Sequence, residues 1–303
     1  MRRTLAVVSV LCLAFPAVGA ARPLLGVHGG IDRFDQLTGQ RSQVRHIFFG
    51  WGNTRFDQNF PAGGPTPMIA MIPTAISPLS IARGEGDEYL FALNDWLARR
   101  GGAAYVRPMP EMNGHWNAYC AYTKGGRSKG AAYSTASFRK AFARIAVLVR
   151  GGSAASVNSR LVRLKLPPIS RDLPALPAVR IVWNPQGYGS PDLPGNSAQA
   201  YYPGDRYVDV VANDLYYIRG KAEWAAAEPL YKAHPSKPYA FAEWGLWGID
   251  APSFVEEMAR FVKTHRRVEL VAYYSGQRGS PWDLASKPRS RAAYKRLIVP
   301  LGR

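Results

Sequence analysis

The sequence predicts a single-domain (β/α)8 barrel, or TIM barrel, of the α/β class. Short apolar runs of strand length alternate with longer amphipathic runs, which is typical of β/α units around a parallel sheet. Residues 21–303, which remain after a predicted export signal, fit one such barrel of about 250 residues.

Eight strands are predicted from runs rich in β-branched and aromatic residues. They lie near residues 24–27, 46–50, 67–72, 104–108, 180–183, 208–212, 239–242 and 269–273. Helical spacing of apolar residues predicts helices over residues 87–100, 135–150, 221–234, 253–265 and 290–298.

The segment 151–178 is rich in glycine, serine and proline. Such a composition is also found in domain linkers. We interpret it as an irregular excursion before the fifth strand, because the remaining chain after residue 178 is too short for a second independent domain. The sequence therefore predicts one barrel domain over residues 21–303.

The N-terminus has the pattern of a cleaved secretory signal over residues 1–20. Arg2 and Arg3 precede an apolar run over residues 5–18, and small residues come next at Gly19 and Ala20. No later segment has the roughly 18 uninterrupted apolar residues that a membrane span requires. We expect a secreted or periplasmic protein without a membrane span.

The two cysteines predict a fold without an intramolecular disulfide. Cys12 lies in the predicted signal, so Cys120 would remain alone after cleavage. Lipidation at Cys12 is disfavoured, because the residue lacks the small-residue context of a lipidation site. Stability must then come from packing.

The formal net charge of +18 favours contact with polyanions. The basic residues are scattered along the chain without a dense run. This scatter argues against a nucleic-acid partner. Two interpretations stay open: a generally basic exported protein, or one that meets an acidic polysaccharide or envelope surface.

Two glutamates, Glu111 and Glu243, interrupt runs that otherwise indicate buried strands. Burying a carboxyl group is costly unless it is paired or needed for reactivity. They follow predicted strands four and seven, whose carboxyl ends open onto the same mouth of a barrel. Two carboxyls about 5–5.5 Å apart are the machinery of retaining glycosidases. The alternative is that both are ordinary salt-bridge acids.

The segment Arg107 to Trp116 resembles the Arg-Pro-x-His-Glu-Met-Asn-Gly-x-Trp signature of glycoside hydrolase family 26. The resemblance covers about residues 84–282, and further matches lie at residues 84–87, 182–185, 202–209, 214–216 and 242–245. It implies a (β/α)8 barrel of the retaining clan, with the acid/base on strand four and the nucleophile on strand seven.

The resemblance also implies roles for individual residues. Glu111 would be the general acid/base and Glu243 the nucleophile. Tyr216 would donate a hydrogen bond to the nucleophile, and Arg107 would orient it or stabilise its charge. A phenol near Glu243 would help to keep that carboxyl ionised while Glu111 stays protonated. Tyr216 could equally be a structural residue.

Aromatic residues are the predicted sugar platforms. By resemblance, Trp116 lies beside the cleavage point and Trp282 is the stacking aromatic after strand eight; the alternative for both is a place in the core. The family histidine before the acid/base is Pro110 here, so a polar contact is lost and the backbone is stiffened. His115 could partly replace that histidine or be a solvated loop residue.

No metal or cofactor is predicted. The five histidines and Cys120 fall in no metal-ligand spacing, and the glycine pairs lack the context of a phosphate loop.

From these observations together we expect a monomeric, secreted, retaining glycoside hydrolase that cleaves β-mannan or a related β-glucan or β-xylan, neutral or acidic. The alternative is a catalytically inactive barrel that binds carbohydrate or the cell envelope.

Overall fold

The computed structural model describes residues 22–303, so the predicted signal at residues 1–20 lies outside the described residues. Eight parallel strands, hydrogen-bonded in chain order, close into a barrel, which confirms the predicted fold class. In this part of the chain no helix is both long and apolar enough to cross a membrane.

The strands appear at all eight predicted places. They are β1 Leu24–Gly29, β2 Val44–Gly50, β3 Thr66–Ile72, β4 Ala104–Pro108, β5 Val179–Trp183, β6 Val210–Tyr217, β7 Tyr239–Leu246 and β8 Val268–Gly276. Strands β6 and β7 are longer than predicted, so Glu243 lies inside β7 and does not end it.

Nine α-helices are found within residues 22–303. They are α1 Ile31–Thr38, α2 Phe56–Asn59, α3 Pro78–Ala82, α4 Asp87–Arg100, α5 Thr135–Arg150, α6 Ala154–Arg163, α7 Trp224–Ala233, α8 Pro252–Thr264 and α9 Pro288–Leu297. The five predicted helices are among them, with α4 and α5 at the predicted bounds.

Helix α6 corrects the interpretation of residues 151–178 as wholly irregular. Ser153 caps the helix by accepting a hydrogen bond from the backbone N–H of Ser156. Val157 and Leu161, one turn apart, are its buried residues. One apolar pair is too little to reveal a helical period in a segment flanked by glycines and prolines.

The core has two parts. Inside the barrel lie mostly small or unbranched side chains: Val44, Met68, Tyr105, Val182, Val210, Ala212, Ala240, Ala242, Leu270 and Ala272. A larger apolar shell fills the space between strands and helices. At Gly26 on β1 a Cβ atom would lie 3.0–3.2 Å from Val44 and Ala272, so glycine lets the barrel close tightly there.

Two glycines end long helices with the same unusual backbone. Gly101 follows α4 with φ 67° and ψ 175°, and Gly151 follows α5 with φ 67° and ψ −161°. Only glycine adopts this region readily. A Cβ at Gly101 would meet nothing within 4 Å, whereas one at Gly151 would lie 1.9 Å from the carbonyl oxygen of Pro174.

This pair separates backbone strain from steric clash. We expect Gly101→Ala to lower the free energy of unfolding by about 1–3 kcal/mol through backbone strain alone. Gly151→Ala should cost about 1–3 kcal/mol more, because the chain leading to β5 must move aside. Urea denaturation of both variants measures the difference, and equal losses would contradict the close approach of Pro174.

Candidate active site

The inward-facing positions of the barrel change from apolar to polar at the carboxyl ends of the strands. Tyr105 of β4 faces the interior, so Arg107, two residues later, faces the same way. On β6 the same alternation carries Ala212, Asp214 and Tyr216 inward. A layer of charged and aromatic side chains therefore covers the apolar interior at the mouth.

A β-bulge turns Glu243 into this layer. Ala242 packs inside the barrel, so strict alternation would point the next side chain outward. The ladder between β6 and β7 pairs Asn213 with Phe241 and then Asp214 with Glu243, which leaves Ala242 as an extra residue. The bulge re-aims the glutamate, as bulges beside functional sites often do.

Arg107 joins the inward-facing acids. Its side chain is fully buried. One terminal nitrogen, Nη1, donates to Oε1 of Glu243, and the other, Nη2, donates to Oδ2 of Asp214. Nε donates to Oδ1 of Asn184 at 2.9 Å. Removing one partner of a buried ion pair costs about 3–5 kcal/mol. The guanidinium therefore holds both acids in place.

Glu243 is surrounded by groups that stabilise a negative charge. Arg107 holds Oε1, and the Tyr216 hydroxyl donates to Oε2 at 2.5 Å. The nearby ring of His46 has its Nε2 3.9 Å from Oε1. Burial and the charge of Arg107 lower the pKa of His46, so this imidazole is neutral and the contact is not an ion pair.

Glu111 lies on the loop after β4 in a strained backbone conformation. Its φ is 51°, and Met109 two residues earlier has φ 47°. Such left-handed positions cost non-glycine residues about 1–3 kcal/mol and persist only where the surroundings enforce them. The backbone N–H of Glu111 donates to the carbonyl of Asn184 at 2.7 Å, which ties this loop to the end of β5.

Side chains from two loops hold the carboxyl group of Glu111. The indole N–H of Trp116 donates to Oε2 at 2.7 Å, and the Gln186 amide donates to Oε1. Asn113 in turn fixes the backbone of Gln186 through bonds of 2.8 and 2.9 Å. A Cβ at Gly114 would lie 2.4 Å from the Trp116 ring, so glycine is needed for this indole to fold back.

The surroundings of Glu111 favour its protonated form. Part of the side chain is open to solvent, yet burial of the carboxyl group raises its pKa. The charge of Glu243 raises the pKa further, while Trp116 and Arg107 oppose the shift. Burial also raises the pKa of the nearby Asp214 carboxyl group.

Trp282 lies at the edge of the same cleft. Its ring centroid is 4.7 Å from that of Tyr216 and 5.2 Å from that of Tyr274. Since Tyr216 binds Glu243, Trp282 is one aromatic ring away from the carboxylate. The structure thus brings together all the residues predicted from the sequence for this site except one.

The exception is His115. Its Nδ1 lies 3.0 Å from the Ser190 hydroxyl, and its backbone N–H donates to the Ser190 carbonyl at 2.7 Å. The imidazole meets the Trp116 ring at 71° with 5.3 Å between centroids. It therefore packs against the indole of Trp116, and its polar partner in the structure is Ser190 and not a carboxyl group of the site.

Sequence reasoning missed four residues of the site: His46, Asn184, Gln186 and Asp214. Asp214 interrupts an apolar strand just as Glu243 does, so the same signal was available for it. Asn184 directly follows β5, where functional residues of barrels are found. His46 was considered only as a metal ligand. Among residues 22–303 no group of three or more potential ligands could hold a metal ion.

Known proteins share this architecture. No family model matches the chain. It is 23% identical, over 88% of its length, to endoglucanase H of Acetivibrio thermocellus. A Bacillus subtilis mannanase superposes with a TM-score of 0.58 at 17% identity, covering 91% of this chain and 85% of that one. A family 26 β-mannanase of Bacteroides ovatus gives 0.55 at 15% identity, covering 91% and 88%.

The chain has the fold of glycoside hydrolase family 26. This confirms, at the level of the fold, the resemblance found in the sequence. The chain spans only 29% of the length of the A. thermocellus endoglucanase. The activity of that larger protein is accordingly no more than a proposal for this chain.

Two substitutions should move the pKa of Glu111 in opposite directions. Glu243→Gln removes a neighbouring negative charge, so the pKa should fall. Trp116→Phe removes a donor that stabilises the ionised form, so the pKa should rise. Carbon-13 NMR titration of the glutamate carboxyl groups measures both shifts. A pKa that does not fall in Glu243→Gln would mean that the two glutamates do not interact through their charges, and one that does not rise in Trp116→Phe would mean that the indole does not stabilise the ionised form.

Proposed function

We propose that this chain is a glycoside hydrolase that cleaves β-linked polysaccharides with retention of configuration. The proposal rests on one observation: two glutamates at one barrel mouth have opposite surroundings. Arg107 and Tyr216 stabilise charge on Glu243, whereas burial and Glu243 itself favour a proton on Glu111. One barrel carries both groups, so we further propose a monomer.

These surroundings suit the two steps of double displacement. Glu243 would attack the anomeric carbon while the glycosidic bond breaks, and Glu111 would give its proton to the departing oxygen. Glu111, now a carboxylate, would then take a proton from water as the water attacks the anomeric carbon and releases Glu243. Both residues return to their starting states.

The named relatives suggest which glycans to test. Two are mannanases and one is an endoglucanase, so β-mannan and β-glucan are the first candidates, with β-xylan as a related one. Pro110 occupies the place of the family histidine and offers no side-chain hydrogen bond. Its neighbour Glu111 is held by Trp116 and Gln186 and not by the residue at position 110, so we propose that the change bears on the substrate more than on the reaction.

Acidic glycans belong in the same panel. Arg219 lies on the loop after β6 and Arg278 on the loop after β8, and both are exposed. Among residues 22–303 neither has a carboxylate partner within ion-pairing distance. Unpaired arginines at the mouth of a site attract carboxylate groups, so a glycan with acidic substituents would be favoured over its neutral form.

The decisive experiment is hydrolysis of a panel of neutral and acidic β-glycans by the purified protein. We expect at least one glycan to be cleaved, with the β-anomer as the first product by proton NMR, and Glu243→Gln to abolish cleavage. Binding without hydrolysis would favour the catalytically inactive carbohydrate-binding barrel. A fully active Glu243→Gln variant would overturn the assignment of the nucleophile.

Glu111→Ala separates the two glutamates within the same experiment. Loss of the proton donor should lower kcat on the polymer by about 10²–10⁴-fold. An aryl glycoside with a dinitrophenolate leaving group needs no protonation, so its kcat/KM, which reports only the first step, should be largely retained by Glu111→Ala and lost in Glu243→Gln. Equal losses on both substrates would contradict the role of Glu111.

We also propose export to the cell surface or periplasm through a signal at residues 1–20, on the basis of Arg2, Arg3 and the adjoining apolar run. Expression of the full chain in a bacterium with a secretory pathway should yield a protein whose N-terminus is Ala21. N-terminal sequencing and intact mass spectrometry of the exported fraction measure this. An uncleaved chain retained in the cytoplasm would count against the signal.

A further inference from the structure

Exposed apolar side chains are concentrated at the mouth of the barrel. Within residues 22–303 the large hydrophobic residues that remain exposed are Trp116, Val162, Tyr188, Trp247 and Ile249. All except Val162 of α6 lie on loops that follow the carboxyl ends of strands. Trp247 is 49% exposed, about as much as Trp116 at 48%. Trp247 has no role in the proposed mechanism.

The backbone around Trp247 is fixed on both sides. The residue follows β7, the strand that carries Glu243. Its N–H donates to the carbonyl of Tyr217 at the end of β6, at 3.0 Å. The N–H of Gly248 donates to the carbonyl of Pro281 in the loop after β8, at 2.8 Å. An exposed tryptophan on so firmly held a loop presents a preformed apolar surface.

Aromatic rings connect this surface to the nucleophile. The centroid of Trp247 lies 4.6 Å from that of Trp282, and Trp282 lies 4.7 Å from Tyr216, which binds Glu243. Trp282 is half-buried, and a Cβ atom added at Gly245 would lie 3.6 Å from its ring. Trp247 therefore forms the open end of an aromatic row that begins beside the cleavage point.

We propose that Trp247 is a further sugar platform, which binds a unit of a β-linked glycan beyond the unit held at Trp282. This proposal rests on the proposed hydrolase function. The face of an indole packs on the apolar face of a pyranose. No partner for the Trp247 indole N–H is found among the described residues, so this N–H is free to donate a hydrogen bond to a sugar hydroxyl. Trp116 follows β4, across the eight-stranded barrel from β8, so the glycan would extend between the two sides.

Chain-length dependence tests the proposal. For the polymer that is cleaved best, kcat/KM is measured on its hexasaccharide and on an aryl glycoside of a single sugar. We expect Trp247→Ala to lower the ratio of these two values about tenfold, mainly through a higher KM for the hexasaccharide. Trp247→Phe should lower it less, because a smaller aromatic face remains.

Ile249→Ala is the matched control, since Ile249 is an exposed apolar residue on the same loop. It should leave the ratio unchanged. An unchanged ratio in Trp247→Ala would overturn the proposal. So would an equal loss on both substrates, because that would show that Trp247 acts only by supporting Trp282 and the catalytic groups.

Affinity electrophoresis in gels containing the same polysaccharides separates this proposal from the hydrolase function. If the wild type hydrolyses nothing but is retarded by a glycan, weaker retardation of Trp247→Ala supports the platform although the hydrolase proposal has failed. Equal retardation of the two proteins would overturn the platform. A wild type that neither cleaves nor is retarded by any glycan would overturn both.

Discussion

The buried guanidinium of Arg107 is the interaction on which the rest of the site depends. It is the positive charge that contacts both Glu243 and Asp214, and Asn184, which directly follows β5, fixes its orientation. Without it Glu243 and Asp214 would be two buried acids with no positive charge beside them, and isolated buried charges are costly. Strands four, five, six and seven are thereby joined at their carboxyl ends through one planar group.

The two glutamates reach the cleft by different means, and the difference sets their chemistry. Glu243 is part of a strand and is turned inward by a bulge, so it shares the charged layer with Arg107. Glu111 belongs to a loop and is reached mainly by neutral donors, Trp116 and Gln186. A carboxyl group bound by a guanidinium keeps its charge more easily than one bound by amides and indoles.

Much of the fold could be predicted from the sequence, because strand and helix periods differ clearly in an α/β barrel. All eight strands were found, and so was the placement of Glu111 and Glu243 on a common mouth. The bulge at Ala242 could not be predicted, because every residue around it in β7 apart from Glu243 is apolar or small and the sequence shows no in–out alternation that an extra alanine would interrupt. Helix α6 was missed because two buried residues are too weak a periodic signal.

The left-handed backbone at Glu111 lowers the stability of the fold at the residue proposed to donate the proton. That position carries both conformational strain and repulsion from a second acid, and neither would exist if a neutral, conformationally permissive residue stood there. Replacing Glu111 by such a residue would remove both costs, so the melting temperature should rise. For the proposed hydrolase, selection for stability alone would therefore favour a barrel that still binds glycans but has lost its proton donor.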